Sequence, residues 1–283
     1  MTGHHQKLPL QEEIKRSARV FKRTLNLSHA TSLDKVSVEN GFQNYQHAYK
    51  AEFLAPSALK KSQGVPPGFE ISISVYWADR KLGLCGKETL RIYLTKPLSE
   101  ITTLDKFRLL RGLANSTRLG ESSFQRDFVT HSQADARNEL YLASRTLAFK
   151  DATELQPSNG WTRAYPLGQT TIPGQDHARN WFDPKTRRYL ICDEPYQTEF
   201  NETINRRLEW LSRHGFVMRT PAWAGMYNPY MDTTNGSRLH LITNATRGVD
   251  LEPLVHKLNR LPPPIGNEPW AGTSAPPTVL APR

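Results

Sequence analysis

The segment Gly174–Tyr196 reads G-Q-D-H-A-R-N-W-F-D-P-K-T-R-R-Y-L-I-C-D-E-P-Y and contains two short apolar runs separated by a turn sequence. The runs, Asn180–Phe182 and Arg188–Cys192, are rich in the aromatic and branched residues that favour strands. The D-P-K-T stretch between them, Asp183–Thr186, is typical of a tight turn. The segment therefore predicts an antiparallel hairpin, whose two outer ends should meet because paired strands run in opposite directions.

Titratable side chains flank both strands at that end of the hairpin. His177 precedes the first strand, and Asp193 and Glu194 follow the second. A carboxylate beside an imidazole orients its tautomer and raises its pKa, so these three residues are the candidate catalytic acid–base groups. In the alternative interpretation, the two carboxylates only end a strand and His177 takes part in a structural hydrogen-bond network.

The same residue types also suggest a metal centre. Imidazole nitrogens and carboxylate oxygens are ligands of zinc, iron, nickel and manganese. The candidate ligand set is His177, Glu194 and His240, the last of which lies in the strand-like run R-L-H-L-I-T. The sequence identifies no other cofactor, and a divalent metal is the one that these residues favour.

Candidate substrate-binding residues are basic or aromatic, and they lie near this hairpin or in the run P-A-W-A-G-M-Y-N-P-Y. Guanidinium groups would bind an anionic substrate, and the loop aromatics would stack on a base or line a pocket. Alternatively, those aromatics only pack the loop onto the core. The candidates are Arg163, Arg179, Tyr196, Trp223 and Tyr227.

The pattern over the whole chain predicts an α+β protein with four parts. Residues 1–54 are predicted to form a small three-helix domain of the helix-turn-helix type, and residues 55–68 have the Pro and Gly content of a linker. Residues 69–261 predict a mixed, mainly antiparallel sheet with packed helices. Residues 262–283 are rich in proline and predict an extended tail without regular structure.

Individual elements carry their own boundary signals. Two alternating runs near 71–75 and 90–94 predict a second hairpin. Ser28 and Ser132 are predicted helix N-caps, and Gly215 is a predicted helix stop. Residues 103–113 also have helical periodicity.

Basic side chains are concentrated in the first predicted helix, K-R-S-A-R-V-F-K-R, where they would contact phosphates. The following helices would place polar residues at the start of a recognition helix. A solvated helix face is the alternative interpretation. The candidate nucleic-acid-binding residues are Lys15, Arg16, Arg19, Lys22, Arg23, Asn44, Gln46, His47 and Lys50.

Composition limits the functional classes. The 283 residues carry a net charge of +10, which favours polyanionic partners. No apolar run approaches the roughly 20 residues of a membrane span, and the first residues lack the features of a secretory signal. Two widely separated cysteines are typical of a reducing cytoplasm. The chain also lacks the G-x-S-x-G, Walker and G-x-G-x-x-G motifs, so serine-hydrolase and nucleotide-phosphate chemistry has no support.

The N-terminal segments Ser28-His29, Gly41-Phe42 and Asn44–Ala48 resemble a small helical domain found ahead of glyoxalase-fold domains in some bacterial proteins. The chain as a whole resembles a proteobacterial family often found on mobile or plasmid-like elements. That likeness lies in segments such as V-Y-W-A-D-R, L-A-F-K-D-A-T, W-F-D-P, D-E-P-Y and W-A-G-M-Y-N-P. The second resemblance implies no particular activity. The first implies a glyoxalase-like role only by analogy, and this chain lacks the His…Glu…His…Glu strand pattern of glyoxalase sites.

Three hypotheses follow from the sequence. The first is a cytoplasmic nucleic-acid-associated binding protein, serving as an accessory protein of a mobile element. The second is a metal-assisted or acid–base enzyme of glyoxalase-like type centred on His177, Asp193 and Glu194. The third is a protein-interaction module without catalysis, whose protein partner the sequence does not identify.

Overall fold

The computed structural model describes residues 18, 28–39, 44–45, 68–160, 164, 171–229, 236–264 and 270–279. The chain divides into two compact units, Met1–Val65 and Pro66–Arg283. In the first unit, helix α1 (His29–Glu39) begins after Ser28, whose hydroxyl accepts a hydrogen bond from the backbone N–H of Thr31 at 3.1 Å. The Ser28 N-cap is thus confirmed. The other two predicted helices fall outside the described residues except at Ala18 and Tyr45, so the three-helix domain stays a prediction.

The second unit confirms the α+β class. Its described strands are β1 (Phe69–Asp79), β2 (Leu84–Leu94), β3 (Ser116–Arg118), β4 (Ser123–Thr130), β5 (Gln156–Ser158), β6 (Arg179–Asp183), β7 (Arg188–Asp193), β8 (Phe216–Arg219), β9 (His240–Asn244), β10 (Thr273–Ser274) and β11 (Thr278–Val279). Its described helices are α2 (Leu98–Ile101), α3 (Leu104–Phe107), α4 (Gln133–Thr153), α5 (Gln197–His214) and α6 (Leu251–Asn259).

The first sheet has the order β10-β2-β1-β4-β3, and β11 also pairs with β2. Strands β1 and β2 form the predicted second hairpin, with Ile73 opposite Leu90. Because β1 pairs with β4 in parallel, this sheet is mixed. Alternate residues of β1, including Ile71, Ile73 and Val75, are buried on one face, as the two-residue period of a strand requires.

The second sheet has the order β5-β6-β7-β9-β8, and its described neighbours all pair antiparallel. Strands β6 and β7 form the hairpin predicted from Gly174–Tyr196, with Trp181 opposite Leu190. The turn between them is stabilised by Asp183, whose carboxylate accepts hydrogen bonds from the Lys185 N–H and the Thr186 hydroxyl. The sequence prediction of this hairpin is confirmed.

Helix α4 joins the two sheets through one hydrophobic core. It begins at the predicted cap, because the Ser132 hydroxyl accepts a hydrogen bond from the Asp135 N–H at 3.1 Å. Leu140 and Leu147 pack in this core, and the Phe149 ring lies 4.8 Å from the Trp181 ring of the second sheet. Helix α5 covers the opposite face of the second sheet with Trp210 and Leu211, and it ends at Gly215 as predicted.

The prediction that the tail contains no regular structure was wrong at residues 273–274 and 278–279, which form strands β10 and β11. Strands β10 and β11 both pair with the free edge of β2, and the Ser274 hydroxyl donates to the buried carboxylate of Glu88 at 2.7 Å. The prolines did not prevent pairing, since Pro276 and Pro277 lie between the two strands. A strand edge offers unpaired backbone groups that a short extended segment can satisfy.

The predicted helix over 103–113 was also wrong in its extent, since α3 ends at Phe107. Tight turns follow this helix. Gly112 adopts a φ of 75° there, and a Cβ atom on Gly112 would lie 2.7 Å from the backbone nitrogen of Ala143 in α4. A side chain at this position would collide with α4, so the close approach needs glycine. None of the helices in the described part of the chain combines the length and apolar character needed to cross a membrane.

Candidate functional site

Adjacent carboxylates at the end of β7 face opposite sides of the second sheet. Leu190 and Cys192 lie in the core shared with α4, whereas Ile191 packs in the cluster under α5. By the two-residue period of a strand, Asp193 faces α5 and Glu194 faces α4. The structure therefore separates the two carboxylates that the sequence analysis placed in one catalytic group.

Asp193 forms a fully buried ion pair with Arg207 of α5, at 2.7 Å between Oδ2 and Nη1. The other Arg207 nitrogens donate to the backbone carbonyls of Pro173 and Gly174, at 2.9 and 2.5 Å. Asp193 Oδ1 also accepts the Asp176 N–H at 3.0 Å. Burial raises the pKa of Asp193 to about 6, although Arg207 acts in the opposite direction. This pair fixes the turn that precedes β6, so its role is structural.

His177 lies at the end of that turn with a φ of 52°, which is uncommon for a residue other than glycine. Its ring stacks on Tyr227, with centroids 3.6 Å apart, and its Nε2 lies 3.1 Å from Asp176 Oδ2. Burial lowers the pKa of His177, and Arg111 and Arg179 act in the same direction against Asp176. His177 is therefore paired with Asp176, and the described contacts connect it to Asp193 only through the Asp176 backbone.

Glu194 is buried beneath the loop that contains Met226 and Tyr227. Its Oε1 accepts both of their backbone N–H groups, at 2.5 and 3.0 Å. A Cβ at Gly225 would collide with the same oxygen, so glycine is needed for this close approach. Burial raises the pKa of Glu194, while the two N–H groups and the nearby guanidinium groups of Arg111 and Arg145 lower it.

Arg145 of α4 binds the carbonyl groups of the same loop. Its Nε donates to the Met226 carbonyl at 2.7 Å and its Nη2 to the Tyr227 carbonyl at 2.8 Å. Burial lowers its pKa to about 10, so it remains charged near neutral pH. Arg145 and Glu194 together fix the backbone of the loop on both its donor and its acceptor side.

A cavity of about 40 Å³ lies beside Glu194, on the α4 side of the second sheet. Its wall includes Thr146 of α4, Trp181 of β6 and Arg111, which follows α3. Arg179 and Asn159 also line it and are exposed, so they mark its opening to solvent. A buried water needs roughly 10–15 Å³, so the space suits a ligand group about as large as a carboxylate.

Five side-chain polar atoms of residues lining this cavity are buried without a hydrogen-bond partner among the described residues: Arg111 Nη1, Thr146 Oγ1, Trp181 Nε1, and Nδ2 and Oδ1 of Asn180. Asn180 pairs with Ile191, which packs in the cluster under α5, so by strand alternation its amide faces away from the Trp181 side chain. The Trp181 and Thr146 side chains are only 3% and 1% exposed. The Arg111 guanidinium lies 4.8 Å from the centre of the Tyr227 ring, and burial lowers its pKa. Unpaired buried donors cost about 1–3 kcal/mol each, which makes this cluster the best candidate for a ligand site.

The proposed metal ligands are not gathered into one centre. His240 lies on the α5 face, where its Nδ1 is 2.8 Å from the Thr220 hydroxyl and its ring stacks on Phe200 at 4.2 Å. Glu194 lies on the α4 face, and His177 contacts Asp176. Within the described ranges, no group of three or more His, Cys, Asp or Glu side chains could hold a metal ion. The alternation of β7 and β9 accounts for this separation.

The predicted substrate-binding residues do not lie together in one site. Arg179 lines the cavity, while Tyr196 and Tyr227 surround His177 with ring centroids 5.5 and 3.6 Å away. Trp223 is buried in the core, 6.3 Å from the Phe149 ring, in agreement with the structural alternative. Arg163 lies outside the described residues, as do all the predicted nucleic-acid-binding residues except Asn44.

Sequence reasoning missed Arg111 and Thr146. The run Leu109–Leu113 did contain a signal, because a single arginine is embedded among leucines that are themselves buried at positions 110 and 113. Thr146 gave no signal, since a threonine in an apolar helix stripe is common.

Comparison of the chain with protein-family models, with curated proteins and with solved structures found no match.

Proposed function

We propose that this protein binds a small carboxylate, or an oxyanion of similar size, in the cavity between α4 and β6. The observation that carries the proposal is the set of unpartnered buried groups of Arg111, Thr146 and Trp181 around one cavity. Two of these groups can only donate hydrogen bonds, and the Thr146 hydroxyl can donate as well. A bound anion would satisfy donors that otherwise remain unpaired.

The charges around the cavity favour an anion over a cation. Arg111 and Arg179 both line it, whereas Glu194 is its single carboxylate among the lining residues that the structure describes. Glu194 Oε1 is already used by two backbone N–H groups. Hydrogen bonds from a guanidinium to a carboxylate are stronger than neutral ones, so Arg111 is expected to contribute most of the binding.

We predict that acetate stabilises the protein and that Arg111→Gln removes most of this effect. A ligand at 100 times its Kd raises the free energy of unfolding by about 2.7 kcal/mol. Loss of one charge-assisted hydrogen bond should weaken binding by about 10- to 100-fold. Isothermal titration calorimetry and thermal unfolding, with sodium chloride as the reference salt, measure both quantities.

Arg108→Gln is the matched control, because Arg108 is exposed in the same segment and does not line the cavity. This variant should respond to acetate as the wild type does. Equal stabilisation by chloride, or an unchanged acetate response in Arg111→Gln, would show that the cavity is not an anion site.

The structure reduces the set of residues that could act in acid–base catalysis. Asp193 is engaged with Arg207, so an acid–base role near this cavity would depend on His177 and Asp176. Burial and the hydroxyl of Tyr196 raise the pKa of Tyr227 to about 12, which keeps the Tyr227 hydroxyl protonated near neutral pH.

The net charge of +10 favours nucleic-acid binding as a second candidate function, carried by a three-helix N-terminal domain. We predict that Lys15→Gln, Arg19→Gln and Lys22→Gln together flatten the salt dependence of duplex DNA binding. Each phosphate contact contributes about −0.9 to the slope of log K against log salt concentration. Filter binding over a salt series measures the slope, and no binding by the wild type at low salt would end this hypothesis. The nucleic-acid-binding proposal also includes a location in the cytoplasm.

A further inference from the structure

Opposite charges line the cavity without forming an ion pair. Arg111 and Glu194 are both lining residues, yet their guanidinium and carboxylate groups do not lie within ion-pair distance of each other. Arg111 Nη1 is buried without a hydrogen-bond partner among the described residues, and the guanidinium lies over the Tyr227 ring. A ligand placed between the two charged groups would therefore contact both.

Glu194 has one carboxylate oxygen left for such a ligand. Its Oε1 accepts the N–H groups of Met226 and Tyr227, whereas Oε2 accepts no hydrogen bond from any residue in the described ranges. The two N–H donors and the guanidinium groups of Arg111 and Arg145 stabilise the ionised form against the effect of burial. An ionised carboxylate only accepts hydrogen bonds, so a ligand that satisfies Oε2 must carry a donor.

The other polar groups of the cavity call for acceptors on the same ligand. Arg111 Nη1 and Trp181 Nε1 can only donate, and the Thr146 hydroxyl can donate as well. A ligand that satisfies all these groups has a carboxylate and, close to it, a hydrogen-bond donor. Because the cavity measures only about 40 Å³, the donor is best placed on the carbon next to the carboxylate.

The charge balance favours a hydroxyl over an ammonium as that donor. Arg111 and Arg179 face a single carboxylate, Glu194, among the described lining residues. A 2-hydroxy acid carries one negative charge and would neutralise this excess. A 2-amino acid has no net charge and would bring an ammonium close to two guanidinium groups, which repel it.

We propose that the cavity binds a small 2-hydroxy acid, with its carboxylate on Arg111 and its hydroxyl donating to Glu194 Oε2, an inference that rests on the proposed function. A hydrogen bond from a hydroxyl to an ionised carboxylate is of the stronger, charge-assisted kind. Glu194 then has two roles, because Oε1 fixes the loop and Oε2 selects the ligand. A site that binds a hydroxyl rejects an analogue without one, since the polar group of the protein is left unpaired.

The test compares ligands of equal charge and similar size in the full-length protein. Glycolate has a hydroxyl where propionate has a methyl group. Isothermal titration calorimetry should show that glycolate binds about 10- to 100-fold more tightly, the effect of one hydrogen bond to a charged group. Fluoroacetate, whose fluorine cannot donate, should bind no more tightly than propionate.

Glu194→Gln should lose most of the preference for glycolate and still bind propionate. The carboxamide oxygen can accept the Met226 and Tyr227 N–H groups, but an NH₂ group then takes the place of Oε2. Glu202→Gln, which changes an exposed carboxylate of α5, is the matched control and should keep the wild-type preference. The ligand series on the wild type does not depend on the folding of either variant.

The outcomes separate this inference from the anion site itself. Equal affinities of the wild type for glycolate and propionate, or an unchanged preference in Glu194→Gln, would overturn the hydroxy-acid inference and leave the anion site intact. Tighter binding of glycine than of glycolate would overturn it in favour of an ammonium at Glu194. If the wild type bound none of acetate, propionate and glycolate, both proposals would be wrong.

Discussion

Arg207→Met should lower the free energy of unfolding by about 3–5 kcal/mol near neutral pH, because it leaves the Asp193 carboxylate buried without its partner. Both side chains are fully buried, and the ion pair is 2.7 Å long. The substitution also removes the donors to the Pro173 and Gly174 carbonyls. Urea unfolding followed by circular dichroism measures the loss.

Arg206→Met is the control, since Arg206 is the exposed neighbour on α5. It should change stability by less than about 0.5 kcal/mol. The double variant Asp193→Asn, Arg207→Met should recover part of the loss, because an amide is less costly to bury than an unpaired carboxylate. A loss below about 1 kcal/mol for Arg207→Met would show that the pair does not hold the turn.

The same pair links stability to the geometry around His177. Arg207 fixes the carbonyls of residues 173 and 174, and Asp193 fixes the N–H of Asp176. A helix on one face of the sheet thereby sets the position of an imidazole whose ring faces Tyr227. Variants of Arg207 should therefore perturb the His177 side chain as well as the fold.

The parts of the fold that were predictable from sequence depend on local signals. The Asp183–Thr186 turn, the Ser132 cap and the Gly215 stop each act within a few residues, and the structure contains all three. Strands β10 and β11 were missed because they exist only through pairing with β2, about 190 residues earlier in the chain.

The candidate site was predictable only in part, for two physical reasons. Alternation along β7 sends Asp193 and Glu194 to opposite faces, a consequence of strand geometry that the grouping of the two carboxylates overlooked. The cavity is built from residues of separate elements, so Arg111, Thr146 and Glu194 come together only through packing. Their proximity has no signature in a short stretch of sequence.

Replacing His240 should remove a pH-dependent loss of stability. Burial lowers the pKa of His240 to about 3, with Arg207 and Arg238 acting in the same direction. An unfolded histidine has a pKa of about 6.5, so between these values the unfolded state binds the proton and the folded state does not. This group therefore destabilises the fold progressively as pH falls below about 6.5, by about 3 kcal/mol at about pH 4.

Protonation of Asp193, the cross-strand neighbour of His240, changes the stability of the fold in the opposite direction. Its raised pKa of about 6 makes the folded state take up a proton first, so its protonation stabilises the fold as pH falls from about 6 toward 4. The wild-type stability curve mixes the two effects. The informative quantity is the difference between the wild type and His240→Phe, which keeps an aromatic ring against Phe200 but cannot titrate.

Chemical unfolding of both proteins at a series of pH values measures this difference. His240→Phe should gain about 3 kcal/mol relative to the wild type between about pH 7 and pH 4, whatever its offset at neutral pH. His256→Phe alters an exposed histidine of α6 and should run parallel to the wild type. Parallel curves for His240→Phe would mean that His240 titrates as it does in the unfolded chain. Its ring would then have access to water or to a counter-ion in solution, and the packing of α5 against β9 would be looser than the contact with Phe200 implies.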